Sequence, residues 1–116
     1  MKLSERSCSP TKEGDQPYSQ EEANELLQEI DGEWTLFSDA KKLKREFKFK
    51  NFTGPMKLAM IIGDLAETEN HHPDLHISWG YLAVVITTHD IGGLVESDFI
   101  FAAKVDSAFN QFSTLL

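Results

Sequence analysis

Three of the four histidines in this chain of 116 residues stand beside turns rather than inside elements. His71 and His72 are adjacent and run into Pro73, in a polar stretch between an apolar helical pattern and a strand pattern. His89 follows Thr87-Thr88 at the end of the next strand pattern, ahead of Asp90 and Ile91-Gly92-Gly93. Imidazole, with an unperturbed pKa of about 6.5, both donates and accepts protons near neutrality. Glu67 closes the helical pattern before the pair, and Asp98 lies beyond the glycines. Three readings are open: exposed loop histidines beside a proline, a metal site of three imidazoles, and metal-free proton transfer. The chain offers neither HxH nor HExxH to favour a metal. It holds no nucleophile elbow, no Walker loop and no GxGxxG. His76 lies inside a strand pattern and reads as an ordinary strand residue.

The elements that must position these groups are legible from periodicity. Ser19 and Glu22 form a capping box, and Ala23, Leu26, Leu27 and Ile30 follow on one helical face, with Gly32 as the stop. Trp34–Phe37 is a short strand, and Ser38-Asp39 supplies a turn. Leu43, Arg45, Phe47 and Phe49 then alternate with charged residues, so one face is buried and Arg45 is the exception. A second helix opens at Thr53-Gly54-Pro55 and runs to Ala66, apolar around most of its circumference. Such a helix needs a second surface to cover it, which predicts self-association. Leu75–Trp79 and Leu82–Thr88 are two strands of a hairpin across Gly80-Tyr81, and a last helix runs from about Ser97 to Phe112. The order α-β-β-α-β-β-α predicts an α+β fold, a four-stranded antiparallel sheet with three helices on one face. The hairpin brings His89 back toward His71 and His72.

Composition narrows the function classes. The size fits one domain, predicted over residues 18–116, and the Ser-, Pro- and Gly-rich residues 1–17 are expected to be a disordered tail. The net charge is −8, all of it outside the first 18 residues, which argues against direct binding to nucleic acid. No apolar run is long enough to span a bilayer, and the first residues lack a secretory signal. The single cysteine, Cys8, precludes an internal disulfide and suits a reducing compartment. A cytoplasmic location is the expectation.

The stretch Glu67-Thr-Glu-Asn-His71-His72-Pro73, then Trp79, then Thr88-His89-Asp90-Ile-Gly-Gly93-Leu94 with Asp98 four residues on, resembles the signature of the pterin-4a-carbinolamine dehydratases. Gly32-Glu-Trp34 and Phe47-Lys-Phe49-Lys-Asn-Phe52 agree with it, and the resemblance covers residues 19–112. It implies dehydration of 4a-hydroxytetrahydrobiopterin to the quinonoid dihydropterin, recycling the pterin after aromatic amino acid hydroxylation, with neither metal nor cofactor. By the same resemblance His71, His72 and His89 are catalytic, and Asn70, Pro73, Thr87, Thr88, Asp90 and Trp34 contact substrate. Glu67 and Asp98 would orient the imidazoles. The resemblance also implies a homo-oligomer, dimer or tetramer. It leaves an alternative role as a dimerisation cofactor of a homeodomain transcription factor, which would add a nuclear location. The chain departs from the family pattern at Val95, where a capping Ser or Thr is usual. That substitution predicts a helix start at Ser97 and a displaced Asp98. Trp79 replaces the more usual Tyr, and Asn70 stands where some relatives have Asp.

Overall fold

The computed structural model describes residues 1–114. Ser19 caps the first helix, α1 (Gln20–Leu27), by accepting from the Glu22 N–H at 3.2 Å while the Glu22 carboxylate accepts from the Ser19 N–H at 2.9 Å. The helix stops at Leu27, one turn short of Gly32, and Gln28–Ile30 continue as turns. Two strands follow, β1 (Thr35–Phe37) and β2 (Lys42–Lys48), joined through Ser38, Asp39 and Ala40, all in the left-handed region. Then come α2 (Thr53–Glu69), β3 (Asp74–Ser78), β4 (Tyr81–Ile86) and α3 (Glu96–Ser113). The hairpin turn is Trp79-Gly80, one residue earlier than predicted. Gly80 has φ +67°, and a side chain there would meet the Phe49 carbonyl.

The four strands form one antiparallel sheet in the order β1-β2-β4-β3. Leu43 pairs with Ile86, Arg45 with Val84 and Phe47 with Leu82, so these six side chains share the face turned to the helices. Leu58 and Ile62 of α2, and Phe99, Ala102 and Val105 of α3, complete the core against them. The predicted fold class and element order are therefore present. His76 pairs with Ala83 on the outer face and is exposed, as an ordinary strand residue would be.

Arg45, the exception in the alternating pattern of β2, is buried with the apolar residues. Its partner lies 61 residues away on α3: Arg45 Nη1 donates to Asp106 Oδ1 at 2.6 Å. The same carboxylate accepts from Trp34 Nε1 at 2.7 Å and from the Asp31 N–H at 3.2 Å. One acid thus satisfies three donors brought from the α1–β1 link and β2.

Residues 1–17, expected to be disordered, lie against the domain. Leu3–Glu5 form a 3-10 turn with Leu3 in the core, and the Ser4 carbonyl accepts from Lys104 Nζ at 2.9 Å. The composition-based expectation counted apolar side chains. The segment is instead held by one leucine and by backbone groups that pair with side chains of α2 and α3.

Replacing Asp106 with alanine strands the buried guanidinium and indole, at a cost of about 3–5 kcal/mol. Urea denaturation of Asp106→Ala beside wild type measures it, and a loss below about 1 kcal/mol contradicts the buried network.

Candidate active site

Helix α2 ends at the segment that carries two of the candidate histidines. Asn70 takes φ +51°, the left-handed conformation that asparagine tolerates, and its N–H bonds back to Ala66 O. The His71 N–H bonds to the same carbonyl at 3.1 Å, which closes the helix. The following proline favours an extended His72, and Asp74 opens β3 directly. On the other side, Thr88 and Gly93 exchange backbone bonds across a closed loop, with Thr88 N–H to Gly93 O at 3.0 Å, and His89 and Asp90 lie on the loop.

Asp98 joins the two. It has no exposed surface, and its three partners come from different segments. Oδ2 accepts from Thr88 Oγ1 at 2.8 Å and from the Val95 N–H at 2.8 Å, while Oδ1 faces His71 Nε2 at 2.7 Å. The Val95 substitution does not shift the helix start. Val95 is the N-cap and Glu96 the first helical residue; valine offers no side-chain cap, and only the other half of a capping box is present, the Asp98 carboxylate accepting from the Val95 N–H at 2.8 Å, while the Asp98 N–H goes to the Val95 carbonyl at 3.1 Å. Asp98 is thereby fixed rather than displaced, contrary to the expectation from sequence. Its position in the first turn of α3 also suits a negative charge at the positive end of a helix.

His72 Nε2 meets Glu67 Oε2 at 2.5 Å, one turn back on α2, and both are solvent-exposed. The two carboxylates proposed from sequence as orienting groups each touch one histidine. Thr87 Oγ1 donates to Lys41 O at 2.7 Å, so both threonine hydroxyls already donate within the protein.

A cavity of about 300 Å³ lies between these segments. His71, His72 and His89 all line it, with Asn70, Thr87, Thr88 and Asp90. Two predicted contacts are elsewhere. Pro73 is not among the lining residues, and Trp34 is buried on the Asp106 carboxylate, where its N–H has a partner in the core. The cavity has further walls that sequence reasoning missed: Ser9, Pro10 and Thr11 of the N-terminal segment, with Val95 and Ser97. Nothing in the local pattern of a polar, Ser-rich stretch points to a cavity 60 to 90 residues away in sequence. Among the described residues, no three His, Cys, Asp or Glu side chains come together in a metal-holding geometry.

Cys8 precedes that wall. Its N–H donates to Glu69 Oε1 at 2.9 Å and its thiol to Ser97 O at 3.4 Å. Burial, reinforced by the Glu69 carboxylate, pushes the thiol up to about 12. A raised thiol value in the folded state means the proton is held more tightly than in the unfolded chain. Any stability linked to it is present below the ordinary value and is lost as the pH rises through the folded one.

The chain matches the family described as pterin 4 alpha carbinolamine dehydratase over residues 16–108. Similar curated proteins each bear pterin-4-alpha-carbinolamine dehydratase in their names. One from Alkaliphilus metalliredigens is 46% identical over 90% of this chain and 93% of its own. Another from Methylococcus capsulatus is 47% identical over 90% of both. Among solved structures, a transcriptional coactivator/pterin dehydratase from Brucella melitensis superimposes with a TM-score of 0.72 at 28% identity, covering 79% of this chain and 97% of that one. A pterin dehydratase-like protein identified as a RuBisCO assembly factor in the alpha-carboxysome shares the fold, with a TM-score of 0.56 at 20% identity over 65% of this chain and 87% of that one.

Thiolate is the reactive form, so Cys8 reacts slowly with a disulfide reagent at pH 8 in the native protein and rapidly in urea. Equal rates in the two conditions mean that the N-terminal segment is not docked.

Proposed function

Because the chain belongs to the pterin-4-alpha-carbinolamine dehydratase family, we propose that it removes water from a 4a-hydroxytetrahydropterin. The observation that carries this reading is the cavity lined by three histidines from two separate segments, one of them clasped by a fully buried carboxylate. The substrate is a hemiaminal, with a hydroxyl on C4a beside N5–H. A proton delivered to the hydroxyl and one taken from N5 let the nitrogen lone pair form the N5=C4a bond as the C4a–O bond breaks. Water leaves, and the product is the quinonoid dihydropterin. Electrons balance within the molecule.

The histidines divide that work by their surroundings. A carboxylate only accepts, and Asp98 already accepts from Thr88 and Val95, so the Nε2 of His71 carries the proton it shares with Asp98. That tautomer leaves Nδ1 as a base, and the imidazolium formed on accepting a proton is stabilised by the buried carboxylate. His72, exposed and paired with Glu67, and His89, exposed on its loop, exchange protons with solvent and deliver one to the leaving hydroxyl. The product would be the form that a reductase returns to the tetrahydropterin after aromatic amino acid hydroxylation.

Self-association belongs to the same reading. The outer side of α2 leaves Met56 and Met60 exposed, Met60 at 67%, and Phe52 at its N-cap is half exposed. A second copy of the chain is the natural cover for that apolar face. The Brucella protein's coactivator role makes protein binding a further use of such a surface.

His71→Ala lowers kcat for carbinolamine dehydration by about 10²–10⁴-fold, with the same loss in kcat/KM. A stopped-flow assay of carbinolamine decay measures it, and an unchanged rate in the His71→Ala/His89→Ala double variant overturns the proton-transfer account. Light scattering at micromolar concentration gives a mass above the 13.1 kDa of one chain, which Met60→Lys shifts toward the monomer. A monomeric wild type removes the self-association.

A further inference from the structure

One wall of the histidine cavity lies outside the span 16–108 that the family matches: Ser9, Pro10 and Thr11. This wall is built, not draped. Leu3 is buried in the core, Arg6 pairs with Glu96 at 3.0 Å, and the Cys8 N–H is held by Glu69. Ser97 Oγ then accepts from the Ser9 N–H at 2.9 Å and donates to the Ser9 carbonyl at 3.2 Å, so one hydroxyl closes both backbone groups of that residue. Two of these anchors, Glu69 and Ser97, are the chain neighbours of Asn70 and Asp98. Downstream, the Tyr18 N–H bonds to Leu94 O at 2.7 Å, and Pro17 passes so close to Gly93 that a Cβ there would lie 2.7 Å from Pro17 Cβ. The segment is thus tied on both sides of residues 9–11, by the same loop and helices that carry His89, His71 and Asp98.

The cavity is graded from its inner wall outward. Thr87, Thr88 and Ser97 are buried and His71 is half-buried, whereas Ser9, Pro10 and Thr11 share the exposed rim with Asn70, His72, His89 and Asp90. Ser9 is anchored through its backbone, which leaves its side-chain hydroxyl, like that of Thr11, uncommitted by those anchors. Resting on the dehydratase reading, we propose that the hydroxyls of Ser9 and Thr11 recognise the hydroxylated substituent on C6 of the pterin, making this segment a specificity element for that substrate. C6 adjoins N5, so a ring held with N5 among the histidines carries its C6 chain out along the cavity wall toward the rim. A vicinal diol offers alternating donors and acceptors, and serine and threonine hydroxyls match both roles.

The test compares wild type with Ser9→Ala/Thr11→Ala, which spares every backbone anchor, on carbinolamines made from tetrahydrobiopterin and from 6-methyltetrahydropterin. The double variant raises KM for the biopterin-derived substrate about three- to tenfold, leaves kcat within about twofold, and leaves the 6-methyl substrate unaffected. An unchanged KM on both substrates overturns the proposal, and so does an equal rise on both. Slow Cys8 reactivity in the variant establishes that the segment is still docked. Fluorescence titration with biopterin and 6-methylpterin reads the same preference without turnover. A wild type that prefers biopterin but turns over neither carbinolamine refutes the dehydratase reading and leaves the recognition standing. A wild type with no binding preference refutes the recognition whatever its activity.

Discussion

The buried carboxylate of Asp98 is the constraint around which the site is organised. It accepts from a loop hydroxyl and from the N–H of the α3 N-cap, and it lies 2.7 Å from an imidazole just ahead of β3. A carboxylate with no exposed surface is tolerable only when hydrogen-bonding partners compensate its burial, and Asp98 has three, two of them, Thr88 and His71, from other stretches of chain. The helix, the Thr88–Gly93 loop and the end of α2 can therefore reach their places only together. The same carboxylate thus ties the segment carrying His71 to the loop carrying His89 and to the start of α3.

A second carboxylate does comparable work two turns further along α3, past its midpoint. Asp106 ties the α1–β1 link and β2 to the helix through an indole, a backbone amide and a guanidinium. Asp98 stands out in sequence only through the family signature, and Asp106 not at all. Both sit one helical face away from phenylalanines and valines, and both replace an apolar contact with a set of directed bonds. Helix α3 is thereby held by polar groups in its first turn and past its midpoint, with Phe99, Ala102 and Val105 in the core between them. Directed bonds fix its rotation and register in a way that a uniformly apolar face could not.

What could be read from residues alone follows the range of the interactions. The capping box at Ser19, the alternation in β2 and the hairpin return are local, repeated over a few residues, and each appears in the structure, the hairpin turn one residue earlier than read. The place of Arg45 could not be read, because its partner lies 61 residues on and periodicity marks it only as an exception. Trp34 was assigned to the pocket through family resemblance, yet its indole N–H is answered in the core. The Val95 substitution suggests a shifted helix; the start stays in place without a side-chain cap, because the Asp98 carboxylate accepts from the Val95 N–H and Thr88 and His71 hold the same group. The N-terminal segment was hardest to see, since backbone groups that pair with Glu69 and Ser97 leave no trace in composition.

The first three residues carry a practical lesson for handling the molecule. Met1 points into solvent while Leu3, two positions later, is a core residue. Trimming a seemingly loose terminus to obtain better crystals unplugs a leucine-sized hole beside α3 and unmoors the rim of the cavity with it.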